Sequence, residues 1–245
     1  MRQLIPQFLE SIDPIATYGR PIRNDDGRPS VRLNMITSVD GATTSGGKSG
    51  PLGSAADKAI FFALRSLADV ILVGAGTVRT EKYGPARLDE GARGRRETAG
   101  LSAVPPIAVI TRSCVLDWES PFFTKAEARP IVVTASSAPA ANREEAAAVA
   151  DVVIAGDEEV DPVRAIIALG DRTFENVLVE GGPSFNGRLA AADLLDELCL
   201  TLAPMLVGEG SSRLLGRAVL SDPIKLSLAH VLEDDDYLFL HYRRI

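Results

Sequence analysis

The stretch Asn176-Val177-Leu178-Val179-Glu180-Gly181-Gly182-Pro183-Ser184-Phe185 runs from an apolar strand into a carboxylate, two glycines and the start of a helix. Glycine lets a ligand approach the backbone closely, Ser184 is placed to cap a helix continuing through 188–191, and unpaired amides at a helix N-terminus attract anions. The same logic occurs earlier, at Val70-Ile71-Leu72-Val73-Gly74-Ala75-Gly76-Thr77, where a second buried-type strand breaks into glycine and threonine. Two strand ends of this kind predict a single dinucleotide lying across both.

Outward from these junctions, short β-branched runs alternate with helical stretches. Strands are expected at 31–39, 70–73, 107–111, 131–134, 152–155 and 177–179, and helices at 55–67, 142–149 and 162–169. Helix 55–67 is expected to turn Ala59, Phe62 and Leu67 inward. Such βα alternation implies an α/β protein with a largely parallel sheet covered on both faces. After residue 195 the helix signal fades, and 197–202, 225–232 and 237–243 read as strands of an antiparallel edge. Residues 86–104 hold Arg87, Arg93, Arg95 and Arg96 among Gly and Glu, and read as a mobile surface loop. Pro6, Pro14, Pro21, Pro29 and the polar run 24–28 mark residues 1–30 as an N-terminal arm, leaving 31–245 as one domain.

Composition excludes several classes of function. The chain has 245 residues, 46% hydrophobic and 24% charged, enough for a real core. Its formal net charge of -7 argues against non-specific nucleic-acid binding, so any anion must be captured locally. Cys114 and Cys199 sit in apolar, strand-like stretches outside any Cys-x-x-Cys or Cys/His cluster, which implies buried, reduced thiols and a cytoplasmic protein. No run of about 18 apolar residues occurs, and Met1-Arg2-Gln3 leads into no signal-peptide core, so a membrane partner is not expected.

The motifs carry bland readings beside functional ones. The dinucleotide fingerprint Gly-x-Gly-x-x-Gly fails because Arg79 occupies the third position after Gly76. Gly41-Ala42-Thr43-Thr44-Ser45-Gly46-Gly47-Lys48-Ser49 narrowly misses a Walker loop and reads as a flexible Gly/Ser segment. Either glycine junction alone could meet a purely steric need; at the carboxyl ends of two parallel strands, together, they favour a crevice. Glu180 is either a carboxylate stabilised by a helix dipole or a partner for a substrate hydroxyl or amine. Arg65 and Arg87 are either solvated charges or the fork that a phosphorylated ligand needs. His230 and His241 read as structural, and no metal cluster or nucleophile-base set can be assembled.

Five ordered motifs add a family resemblance: Asn34-Met35-Ile36-Thr37-Ser38-Val39-Asp40-Gly41, Leu64-Arg65-Ser66-Leu67-Ala68-Asp69-Val70, Val73-Gly74-Ala75-Gly76-Thr77-Val78-Arg79, Val179-Glu180-Gly181-Gly182-Pro183-Ser184, and Asp196-Glu197-Leu198 ahead of Ala203-Pro204. Over 31–245 the chain resembles the reductase domain of the bacterial riboflavin-biosynthesis deaminase-reductase, in the dihydrofolate-reductase-like superfamily. The deaminase motifs are absent, so a stand-alone reductase is expected. The resemblance implies a three-layer dihydrofolate-reductase-like fold, with a mostly parallel mixed sheet and antiparallel C-terminal strands. It also implies reduction of 5-amino-6-(5-phosphoribosylamino)uracil with NADP(H) as cofactor.

By the same resemblance, Ile36, Gly74, Gly76, Thr77, Glu81, Ser113, Gly181, Gly182, Pro183 and Ser184 would hold the cofactor. Ser49, Arg65, Arg87 and Glu180 would meet substrate, the arginines at its phosphate. Two departures touch the walls of the site: Glu81-Lys82-Tyr83-Gly84-Pro85-Ala86-Arg87 is one residue shorter than the family pattern, and Pro51-Leu52 replaces a customary tryptophan. Hydride transfer needs positioning more than acid-base machinery, with reacting atoms about 3–3.5 Å apart. Glu180 and Asp40 are the catalytic candidates, Asp40 as proton donor or, equally, as a mere turn former. Arg79 or Arg112 could read a 2′-phosphate, and a homodimer is expected. A pterin reductase and a non-catalytic NADPH-binding module remain alternatives.

Overall fold

In the computed structural model, which describes residues 1–21, 24, 26–208 and 210–245, the chain begins with strand β1 (Arg2–Ile5) and helix α1 (Pro14–Tyr18). Next come β2 (Ser30–Ser38), α2 (Ala55–Leu67), β3 (Val70–Gly74), α3 (Ala75–Thr80), α4 (Glu90–Thr98), β4 (Ile107–Ile110) and α5 (Pro121–Thr124). They are followed by β5 (Ile131–Thr134), α6 (Ala140–Val149), β6 (Asp151–Ile154), α7 (Pro162–Gly170), β7 (Asn176–Val179) and α8 (Pro183–Ala191). The chain ends in β8 (Glu197–Ala203), β9 (Leu226–Asp234) and β10 (Tyr237–Arg244).

Among the described residues these strands form one sheet in the order β1-β9-β10-β8-β2-β7-β3-β4-β5-β6. From β8 to β6 every neighbour is parallel, while β10, β9 and β1 add antiparallel pairs. Alternating side chains supply two cores. Ile71 and Val73 face Ile60 and Leu64 of α2, whereas Val70 and Leu72 face Ile166 and Leu169 of α7 and Leu189 of α8. Layers on both faces explain why β3 and β7 are apolar at nearly every position. This is the expected three-layer, dihydrofolate-reductase-like arrangement. The chain builds from β2 toward β6, then returns to insert β7 between β2 and β3 and place β8 beyond β2. That reversal puts the site at the carboxyl ends of β2, β7 and β3.

Several expectations change at the level of elements. The arm is stitched to the body: β1 pairs with β9, and α1 packs on α2, although residues 22, 23 and 25 lie outside the described residues. Helix α2 has the expected bounds but another inward face, since Ile60, Ala63 and Leu64 are buried while Ala59 and Phe62 are exposed. Within 86–104 stands α4, started by the Asp89 side chain accepting from the Ala92 amide. Its Arg96 is 2% exposed and donates to the Ser66, Ala68 and Ser102 carbonyls. A buried guanidinium binding carbonyls leaves no apolar stripe for periodicity to detect. Cys114 is buried in irregular backbone rather than a strand, and β8 is parallel to β2 while antiparallel to β10.

Both histidines are structural. Arg32 Nε donates to Glu197 Oε2 at 2.6 Å, His241 Nε2 lies 3.2 Å from that oxygen, and the His230 and His241 rings stack edge-on at 4.8 Å. Burial, reinforced by the nearby His241, Arg243 and Arg32 charges, pushes His230 down to about 4. The folded state thus resists protonation that the unfolded chain accepts near pH 6.5, so this contribution is full above 6.5 and fades toward 4. We expect unfolding free energy to fall by about 2 kcal/mol between pH 7 and pH 5. Denaturant titrations of wild type and His230→Phe check this: the variant should lose most of that pH dependence, and an undiminished drop would refute the assignment.

Candidate functional site

Where β3 and β7 end, their backbones touch. The Gly74 amide donates to the Gly181 carbonyl at 3.1 Å, and a Cβ on Gly74 would lie 3.3 Å from the Gly182 Cα. Gly181 and Gly182 have φ of +102° and +87°, which side chains rarely adopt, so both the turn and the close approach require glycine. Gly182 is the N-cap of α8, and among the described residues no side chain is seen to cap that helix. Ser184 therefore lies inside the first turn and does not cap it. The uncapped N-terminus of this nine-residue helix is an electropositive backbone surface beside Thr77 of α3.

A cleft opens over these bends. It is walled by Asn34, Met35 and Ile36 of β2, Thr77, Glu81 and Tyr83 after β3, and Glu180–Pro183 after β7. Opposite stand Thr43, Thr44, Ser49, Gly50 and Gly53 of the β2–α2 connection and Asp57, Lys58 and Phe61 of α2. The first turn of α2 is fixed locally, because the Ser54 hydroxyl accepts from the Asp57 amide at 3.1 Å. The Glu81 carboxylate ties the opposite walls together by accepting from the Ser49 amide at 2.8 Å.

Glu180 forms the base of the cleft. Arg65 Nε and Nη2 each donate to one of its oxygens at 2.7 Å, and the Tyr83 hydroxyl donates at 3.0 Å. The Arg65 and Glu180 side chains are 7% and 2% exposed, and Phe61 covers the guanidinium at 4.1 Å. Burial opposes the Arg65 charge, but Glu180 outweighs it and raises the pKa; burial, with Glu180 beside it, keeps the Tyr83 phenol protonated and donating. Asp57 differs from Glu180 in having no guanidinium on it among the described residues. Its carboxyl meets the Thr201 hydroxyl, and burial raises its pKa against the opposing effects of Thr201 and Lys58.

The candidates read from sequence divide accordingly. The cleft gathers Ile36, Ser49, Thr77, Glu81, Glu180, Gly181, Gly182 and Pro183, with Gly74 and Ser184 immediately behind and Gly76 on the adjoining turn. Arg65 reaches the site only through Glu180. Arg87 is exposed and lines a different depression with Asp13, Phe62 and Leu88. Ser113 is exposed past the end of β4, its carbonyl accepting from Asn142 at 2.9 Å. Asp40 lies outside the cleft walls, held by the Ser38 hydroxyl and by the Gly208 and Val207 amides at 2.7 and 3.2 Å. Those hydrogen bonds, Ser38 foremost, bring its pKa down to about 2, a poor state for a proton donor and a good one for a loop anchor. Arg79 donates to the Val115 carbonyl at 3.3 Å. Sequence reasoning missed Asn34, Asp57 and Lys58. The cue was Ser54-Ala55-Ala56-Asp57, a helix-start pattern that also aims the first turn at the cleft.

Fold and cleft together define an α/β protein with a cleft at a topological switch point of its sheet. Residues 29–240 match the RibD C-terminal domain family, and the chain belongs to that family. A 2,5-diamino-6-ribosylamino-4(3H)-pyrimidinone 5′-phosphate reductase of Aquifex aeolicus is 30% identical over 188 residues, covering 74% of this chain and 79% of its own length. The protein of the same name from Methanothermobacter thermautotrophicus is 27% identical over 88% of this chain and 98% of its own. A pyrimidine reductase-like protein of Corynebacterium diphtheriae superposes with a TM-score of 0.85 at 29% identity, covering 96% and 99% of the two chains. No helix among the described residues is long and apolar enough to cross a membrane.

The buried pair sets a stability expectation. Glu180→Gln leaves the Arg65 charge uncompensated and should cost about 3–5 kcal/mol, whereas Tyr83→Phe removes one hydrogen bond and should cost about 1–2 kcal/mol. Equilibrium unfolding of both variants checks the order; equal losses would show that the guanidinium pair is not what holds the base of the cleft.

Proposed function

We propose that this chain is an NADPH-dependent reductase of riboflavin biosynthesis, converting the ribosyl group of a ribosylaminopyrimidine 5′-phosphate to ribityl. The observation that carries this reading is the backbone contact of the Gly74 and Gly182 bends beneath an uncapped helix N-terminus, in a member of the RibD C-terminal domain family. The relatives' names support the substrate class.

The residues fit a nicotinamide dinucleotide. A Cβ at Gly74 or Gly182 would fill the place where the two bends meet, and backbone amides at a helix N-terminus suit a pyrophosphate. When bound, the reduced nicotinamide supplies a hydride. The chain then has three tasks: to seat the dinucleotide on the bends with Thr77, to orient the substrate against the Glu180 side of the cleft, and to hold its phosphate. Arg65 is already committed to Glu180, and Arg87 faces elsewhere. Lys58 is the one cation among the described cleft-lining residues and is assigned the phosphate. The substrate's ribose opens to an imine, and its former anomeric carbon accepts the hydride.

NADPH consumption should depend on a ribosylaminopyrimidine 5′-phosphate, either the diaminopyrimidinone or its deaminated uracil counterpart. Lys58→Ala should raise KM for the phosphorylated compound roughly tenfold, about 1.4 kcal/mol, and leave KM for the dephosphorylated compound unchanged. Turnover of dihydrofolate instead, or NADPH binding without oxidation of any of these compounds, would overturn the reading.

A further inference from the structure

Reduction of an imine needs a proton as well as a hydride, and the geometry points to Asp57 as the group that delivers it. This inference rests on the reductase reading above. The new C1′–H bond takes the hydride of a reduced nicotinamide, which is oxidised to the pyridinium. The π pair of the C1′=N bond moves to nitrogen, and the O–H bond of the Asp57 carboxyl breaks to form N–H. The resulting carboxylate regains a proton from solvent.

The acids around the cleft differ in what already occupies them. Glu180 has both oxygens taken up by two guanidinium nitrogens at 2.7 Å and by the Tyr83 hydroxyl. Tyr83 directs its own proton at Glu180. Glu81 accepts from the Ser49 amide and braces the walls. Asp40 is outside the cleft, with three donors converging on its carboxylate. Asp57 alone among these lines the cleft with no guanidinium or main-chain amide of the described residues on its carboxyl; its side-chain partner is the Thr201 hydroxyl.

Its position also suits the task. The first turn of α2 is capped by Ser54, so the Asp57 backbone is rigid, and a Cβ on Gly53 would sit 3.1 Å from its Oδ2. Thr201 pairs in register with Ile36, itself a cleft residue, which places the Asp57–Thr201 contact beside the β2 wall. Among the described residues, the titratable groups that feel its charge are Lys58 on its own helix, Tyr18 of α1 and Tyr237 of β10. Lys58 favours the carboxylate, but burial prevails and shifts the carboxyl toward its protonated form. A carboxyl so poised combines a ready proton with a surface-accessible cleft for its return.

The test compares wild type, Asp57→Asn and Asp57→Glu in full-length protein, using NADPH and the ribosylaminopyrimidine 5′-phosphate from pH 5 to pH 9. NADPH affinity, read by fluorescence titration, should stay within about twofold in both variants. For Asp57→Asn, kcat should fall at least about 100-fold with KM little changed. The wild-type decline of kcat toward high pH should vanish in Asp57→Asn, and Asp57→Glu should recover part of the rate with a shifted limb. A kcat for Asp57→Asn within threefold of wild type, or the same pH limb in wild type and Asp57→Asn, overturns the proposal. The wild-type limb is decisive even where a variant folds poorly: a kcat that stays flat across this range also overturns it. Absence of NADPH oxidation by wild type sinks the reductase reading itself, and this assignment with it.

Discussion

The site depends on a main-chain contact between two strand ends. With Gly74 and Gly182 separated by little more than van der Waals distance, β3 and β7 can end at the same level and leave a continuous floor of peptide groups. A side chain at either position would have to displace backbone, which is much stiffer than a rotamer. The insertion of β7 between β2 and β3 makes this contact possible, because it brings a strand late in the chain beside two early ones. The floor is thus a product of topology, and the glycines are the condition for it.

On this floor the charges are arranged in two ways. Arg65 and Glu180 are buried together, with each carboxylate oxygen matched to a guanidinium nitrogen and Phe61 over the cation. Such a pair adds little net stability over an apolar replacement, but it resists the loss of either partner. Its consequence for recognition is that Arg65 presents Glu180, already oriented, and is not itself free to grip an anion. Lys58 and Asp57, one turn deep in α2, face the cleft with looser commitments. The rigid pair defines the base of the cleft while the first turn of α2 supplies groups that can change partner.

Sequence legibility followed the same division. Strand ends and glycine bends are readable because an apolar run breaking into Gly-Gly has few other physical uses, and six expected strands fall on observed ones within a residue or two across β3 to β8. The inward face of α2 is ambiguous in sequence because Ala59–Phe62 and Ile60–Ala63–Leu64 are rival apolar faces about 100° apart: the second is buried, while Phe62 is 47% exposed. Helix α4 leaves little trace in sequence because its anchor is Arg96, whose burial depends on the Ser66, Ala68 and Ser102 carbonyls outside the helix. The N-terminal residues look like an arm in sequence because β1 finds its partner in β9, more than two hundred residues later. Pairing at that separation leaves no local trace.

For the site, motif order located the glycines, Thr77, Glu81 and Glu180, but the same order implied that both arginines point at one ligand. Position along a motif does not give direction. The segment from Glu81 to Arg87 turns Tyr83 toward Glu180 and Arg87 toward Asp13 and Phe62, on another face. Asp40 shows the converse: a strand-end carboxylate that reads as an acid is a loop anchor, because three donors reach it from the Ser38 hydroxyl and the 207–208 backbone. Donors stabilise the anion, so the better-bonded carboxyl has already given up its proton and has none left to deliver. That rule separates Asp40 from Asp57 where residue type and spacing could not, since it depends on what folding brings to each oxygen.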